Sequence, residues 1–250
     1  MLDFNINTSF FKQLKNQLPG VDGGNIRAKL WFSGLEWAGG DEAITLDVTR
    51  PVVDIDGLKV PYLSEEWKLA NPNFYKWQFD QKIAKILCET YLYANGYKEY
   101  MREIYCDANS QAFKLNLFPL PCKNLATWTD EHKQLSGSNI KYHYQTHCAA
   151  TRFTLFQKLT MIYKPRVVVC FSMKFIEEYK LAFWGDDIEN YEKTSRTLSS
   201  RNSISILKKG GSPILVIAPF LGQNLSSNQE LSRLGQIIKE LLEEAEDSCS

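Results

Sequence analysis

The chain lacks several features that would announce a function. Its 250 residues carry 29 Lys plus Arg against 29 Asp plus Glu, so no net field draws it to DNA, RNA or an anionic membrane, and any nucleic-acid contact must be local. No apolar run approaches the ~20 residues that span a bilayer, which removes the membrane as a partner. The six cysteines, Cys88, Cys106, Cys122, Cys148, Cys170 and Cys249, include no CxxC pair. The N-terminus MLDFNINTSFFKQLKNQ also lacks the basic-then-apolar order of a signal peptide. Both point to a reduced, cytoplasmic setting, or a nuclear one in a eukaryote. There is no G-K-[ST] phosphate loop, no complete G-x-G-x-x-G, no G-x-S-x-G and no internal repeat. His143 and His147 stand four apart beside Cys148 in KYHYQTHC, but no further ligand pattern joins them. They read as packing or surface histidines, and no metal or cofactor is expected.

What is present is an α/β pattern. Four short apolar, β-branched runs read as buried strands: KLWFS (29–33), FKLNLF (113–118), RVVVCFS (166–172) and ILVIAPF (214–220). Helical spacing marks 81–94 and 150–163 between them. In SSNQE, Ser227 and Glu230 form a capping box ahead of an apolar stripe of Leu231, Leu234, Ile238, Leu241 and Leu242. Strands alternating with helices predict one α/β domain over 1–250, a three-layer sandwich around a mostly parallel four-stranded sheet. The stretch 41–80, with Pro51, Pro61 and Pro72 and no steady period, reads as an insertion over the carboxyl ends of the strands, where such sheets bind ligands.

Four segments have chemical potential. Gly34, Gly39 and Gly40 follow a strand and allow a sharp turn or the close approach of backbone N–H groups to a ligand. Glu36 among them, shielded by Trp37, is a carboxylate that desolvation can turn into a base toward water; a solvated turn residue is the plain alternative. Asn116 sits amid apolar residues in KLNLFPLPCKN, and a buried amide must either tie down a loop or read a ligand edge. In IAPFLGQNLSSNQE, residues Gly222, Gln223, Asn224 and Ser226 precede a capped helix, a place where backbone N–H groups can meet phosphate or simply form a βα loop. Finally, 193–212 holds Lys193, Arg196, Arg201, Lys208 and Lys209 with no acid, which suits phosphate contacts or a solvated loop.

Taken in this order, the segments resemble the uracil-DNA glycosylase superfamily. GLEWAGGDE (34–42) looks like its first motif, with the usual proline replaced. NLFPLP (116–121) with KNL (123–125) is most similar to the single-strand-selective monofunctional branch, and KPRVVVCFS (164–172) resembles a strand of the same fold. ILVIAPFLGQNLSS occupies the place of the motif that enters DNA, with Ala218-Pro219-Phe220 where His-Pro-Ser is usual. VPYL (60–63) resembles the segment whose aromatic stacks on the flipped base. The resemblance implies a monomeric monofunctional DNA glycosylase that flips out a base and hydrolyses its N-glycosidic bond without a cofactor. In that scheme Glu36 activates water and Asn116 reads the base edge, while Tyr62 and Trp37 flank it. Gly39, Gly40, Gly222, Gln223, Asn224, Ser226, Arg201 and Lys208 would contact DNA. The missing histidine points to a modified pyrimidine, for example a hypermodified base of viral DNA, as substrate. Two other readings stay open: a nucleic-acid binder on this fold that cuts nothing, and an unrelated α/β enzyme using the glycine turn for a nucleotide or sugar phosphate.

Overall fold

The computed structural model describes residues 7–36, 50–222, 224–225 and 227–247, the last three by backbone only. In chain order the elements begin with α1 (Thr8–Leu14), β1 (Gly23–Gly24), β2 (Leu30–Gly34), β3 (Val52–Ile55) and β4 (Leu58–Pro61). They continue with α2 (Glu65–Ala70), α3 (Gln78–Thr90), α4 (Tyr97–Glu103), β5 (Ala112–Asn116), α5 (Asp130–Ser136) and α6 (Lys141–Cys148). A π-helical turn, Ala149–Phe153, joins α6 to α7 (Thr154–Tyr163). The chain closes with β6 (Val167–Phe171), α8 (Ile176–Trp184), β7 (Glu192–Thr197), β8 (Ser203–Lys208), β9 (Ile214–Ala218) and α9 (Asn228–Asp247).

The four apolar runs form β5, β2, β6 and β9, adjacent and mutually parallel at the centre of the main sheet. The sheet nevertheless has seven strands, not four, in the order β1-β5-β2-β6-β9-β8-β7, because antiparallel strands extend both edges. The additions escaped the apolar pattern for physical reasons. β1 is two glycines with positive φ. β7 is a solvated edge strand, EKTSRT, whose charges protect an open sheet edge. The basic stretch 193–212 is therefore largely a hairpin, β7 with β8, rather than a loop.

Alternation along each central strand feeds two cores. Trp31 and Leu115 face α1, α6, α7 and α8, whereas Leu30 and Phe32 face α3, α4 and α9. The stripe on α9 buries Leu231, Leu234, Ile238 and Leu241 as its period requires. The insertion, from residue 50 on, makes the hairpin β3–β4, turned by Asp56 and Gly57 at φ 55° and 83°, the conformation that Asp-Gly favours. The hairpin packs beside β1 at the sheet edge, its Pro61 backbone pressed against Gly23. Of the described insertion, the start of α3 is the part that reaches the strand ends. Among the described residues no helix is long and apolar enough to cross a membrane.

Candidate functional site

The carboxyl ends of the parallel strands, Gly34, Asn116, Phe171 and Ala218, share one rim of the sheet, the usual ligand position of open α/β sheets. Gly34 and Asn116 are register partners, and the pairing continues beyond them, Leu117 N–H to Gly34 O at 3.0 Å and Phe118 N–H to Leu35 O at 2.7 Å. Alternation places Lys114 and Asn116 on the α3 side of β5.

The Asn116 side chain is 2 % exposed, and burying an amide requires partners. Its Nδ2 donates to Gly20 O at 3.3 Å, and its backbone O accepts from Arg152 Nη2 at 3.1 Å. Among the described residues nothing donates to its Oδ1. That oxygen lies 2.3 Å from where a Cβ on residue 34 would stand, so only glycine leaves it room. The Phe79 Cζ is 3.7 Å from the same point. The half-buried Phe79 ring meets Phe171 edge-on, centroids 5.5 Å apart at 83°, and Phe220 at 5.9 Å and 40°. Phe220 is 45 % exposed and forms the lip. A buried planar amide thus stands near an aromatic wall, with an acceptor that nothing fills among the described residues, a pairing of groups suited to a flat heterocycle with a polar edge.

The lip is held from α3. Lys82 donates to the Leu221 carbonyl and, at 2.7 Å, to Gly222 O; burial, then Lys85, lowers its pKa. A Cβ on Gly222 would come within 2.6 Å of the Phe220 ring. Asn224 O accepts from Asn202 Nδ2 at 2.6 Å. The capping box forms as its sequence requires: Ser227 Oγ accepts from Glu230 N–H at 3.2 Å, and Glu230 Oε2 from Ser227 N–H at 3.3 Å. Burial would raise the Glu230 carboxyl, but hydrogen bonds from Ser199, Asn202 and Ser227 outweigh it and hold the group at about 2. A protein carboxylate therefore occupies the electropositive end of α9 where a phosphate would sit.

Glu36, two residues past Gly34, has a side chain 7 % exposed. Its Oε1 pairs with Lys141 Nζ at 2.8 Å, and its Oε2 is buried with no hydrogen-bond partner among the described residues. Burial pushes this carboxyl above its usual range, opposed by Lys141 and then by the Cys122 thiol. Lys141 belongs to α6, whose layer is opposite to that of α3, so Glu36 and the Asn116 amide are anchored from opposite faces and share no contact among the described residues.

Beside Glu36, burial first and the carboxylate next push the Cys122 thiol up to about 11. His132, which the sequence did not single out, lies with Nε2 3.4 Å from Cys122 Sγ and 2.9 Å from Pro121 O. Because His132 Nδ1 accepts the Thr129 N–H at 3.1 Å, Nε2 carries the proton and donates to Pro121. It has no lone pair with which to activate the thiol. His147 packs 5.0 Å from Phe11, and no cluster of three metal-ligating side chains occurs among the described residues.

The remaining candidates scatter. Tyr62 is half-buried after β4, its N–H bonded to Pro51 O at 3.1 Å, and Phe79 is the ring beside Asn116. Nothing local distinguishes Phe79 among 14 phenylalanines. Arg201 is exposed, whereas Lys208 pairs with Glu244 at 2.8 Å, Arg196 with Glu240 at 2.6 Å and Lys209 with Asp187 at 2.7 Å, which uses up much of the basic stretch. Trp37, Gly39, Gly40, Gln223 and Ser226 lie outside the described residues. No family model matches the chain, and no curated protein is significantly similar to it.

Proposed function

We propose that this chain is a DNA N-glycosylase that accepts an extruded, modified pyrimidine at the Asn116 rim. The observation that carries the reading is the Asn116 amide, held by Gly20 and given room by the absent side chain of Gly34, with no donor to Oδ1 among the described residues and the Phe79 ring close by. The amide reads the base edge and the ring stacks on its face, which helps offset the few kcal/mol that flipping costs. In the reaction, water attacks the sugar C1′ and the C1′–N bond breaks. Its electron pair leaves with the base. Glu36, held in the opposite layer by Lys141, must leave that pair to take the proton from the attacking water, and the departing base gains one from solvent. Ala218 offers no donor to that base, which favours a pyrimidine whose substituents already stabilise negative charge.

A second reading, a base reader that does not cut, draws on the Glu36–Lys141 ion pair, which weakens the carboxylate as a base. One experiment decides between them: mass-spectrometric detection of free base from DNAs carrying uracil, hydroxymethylated or glucosylated pyrimidines, with Glu36→Gln and Asn116→Ala alongside. Release that both substitutions abolish supports the glycosylase. Salt-sensitive binding of the DNA without release supports the reader, and absence of binding refutes both.

A further inference from the structure

Beneath the amide and the ring lies a buried ionic cluster that the proposed reaction does not use. Lys114 Nζ stands 2.8 Å from Asp22 Oδ2 and 2.5 Å from Asp80 Oδ1. Arg50 Nη2 meets Asp22 Oδ1 at 2.6 Å, and the Tyr105 hydroxyl donates to Asp80 Oδ1 at 2.7 Å. All four charged side chains are under a tenth exposed. Burial raises the Asp22 carboxyl, but Lys114 and Arg50 together outweigh it and hold it ionised, below the ordinary carboxylate range.

A buried ion network of this kind is rarely worth more stability than apolar side chains of the same volume, because desolvation cancels most of the attraction. Its connections suggest another purpose. Asp80 follows Phe79 in the first turn of α3. Asp22 lies two residues from Gly20, whose carbonyl orients the Asn116 amide. Lys114 lies two residues before Asn116 on the same face of β5, with its ammonium 5.1 Å from the Phe79 ring centroid. A single ammonium therefore holds together the helix start that carries the ring, the loop that carries the orienting carbonyl and the strand that carries the amide.

We propose that Lys114 is a positioning residue for base recognition, clamping the Asn116 amide and the Phe79 ring into one fixed geometry through Asp22 and Asp80. The proposal rests on the reading of Asn116 and Phe79 as the base-binding pair. Without the ammonium the two carboxylates face each other across the gap it filled, and the Gly20 loop and the α3 start part.

The test is the Asn116 side-chain NH₂ resonance in the ¹⁵N-labelled full chain, assigned by its disappearance in Asn116→Ala, together with base-release kinetics on the DNA panel. In Lys114→Met the amide protons should exchange with solvent at least tenfold faster and shift, and kcat/KM should fall at least tenfold. Lys114→Arg, which keeps the charge, should restore part of both. An unchanged Asn116 resonance in folded Lys114→Met would overturn the proposal. If that variant does not fold, Asp80→Asn preserves the volume and the Tyr105 bond and should shift the Asn116 amide and Phe79 ring signals together; unmoved signals overturn it equally. If the parent releases no base, the functional reading fails, and the resonances still decide the positioning role.

Discussion

Gly34→Ala is the sharpest perturbation the site offers. The new Cβ would stand 2.3 Å from Asn116 Oδ1, where ordinary contact begins at 3.4 Å. The amide must therefore retreat by about an ångström. Retreat pulls Nδ2 off Gly20 O, already at 3.3 Å, or drives the side chain toward Phe79. Overpacking of this size costs about 1–3 kcal/mol, which in urea corresponds to a midpoint lowered by roughly 1 M at a slope of ~2 kcal/mol/M. Misplacing a recognition group by an ångström costs about 100-fold in rate, so base release should fall by about that factor. The control is the same substitution in an Asn116→Ala background, where the obstructing oxygen is gone. There Gly34→Ala should cost under about 0.5 kcal/mol, a coupling of the size found for residues in direct contact. An equal loss of stability in both backgrounds would show that the glycine is needed for something other than the amide, and the geometry assigned to the site would be wrong.

Two further outcomes follow from the charges around Glu36. Lys141→Met removes the ion-pair partner of a buried carboxylate, at a cost of about 3 kcal/mol near neutral pH, and raises the Glu36 carboxyl further. A raised carboxyl binds more protons folded than unfolded, so the variant should regain stability as pH falls from 7 toward 4.5, and the acid limb of base release should move to higher pH; denaturation at several pH values checks the first and a pH–rate profile the second. His132 behaves in the opposite sense. Burial, first among its causes, lowers its pKa below 6.5, so the unfolded chain binds the proton first and stability should decline as pH drops below 6.5. His132→Gln should flatten that decline in thermal melts; an unaltered slope would place the titration elsewhere.

Much of the frame was legible because it depends on local pattern. A run such as VVVCF has no polar face to offer water, so it must lie inside a sheet covered on both sides, as β6 does. Ser227 and Glu230 satisfy each other's backbone donors within one turn, and they do so whatever lies around them. The Asp56-Gly57 turn of the β3–β4 hairpin is equally local, but it went unread because 41–80 has no steady period around it. Asn116 stood out because an amide in an apolar strand needs partners, and its Nδ2 finds one in Gly20 O. By contrast β7, solvated along nearly its whole length, carries no burial pattern to read, and its strand character comes from pairing with β8.

The division at the site has the same origin. Patterns within a few residues were enough to place a glycine just past one buried strand and an asparagine inside another, a carboxylate after the first, and a capped helix after the last. Long-range packing made Gly34 and Asn116 register partners, put Asn116 at the end of its strand, stood Phe79 rather than Tyr62 near the amide, paired Glu36 with Lys141 from the opposite layer, and gathered Asp22 and Asp80 around Lys114 beneath the rim. Those pairings join residues up to 105 positions apart, and their partners are selected by strand order and by the low dielectric of the interior, where a buried charge must find its opposite wherever in the chain it lies.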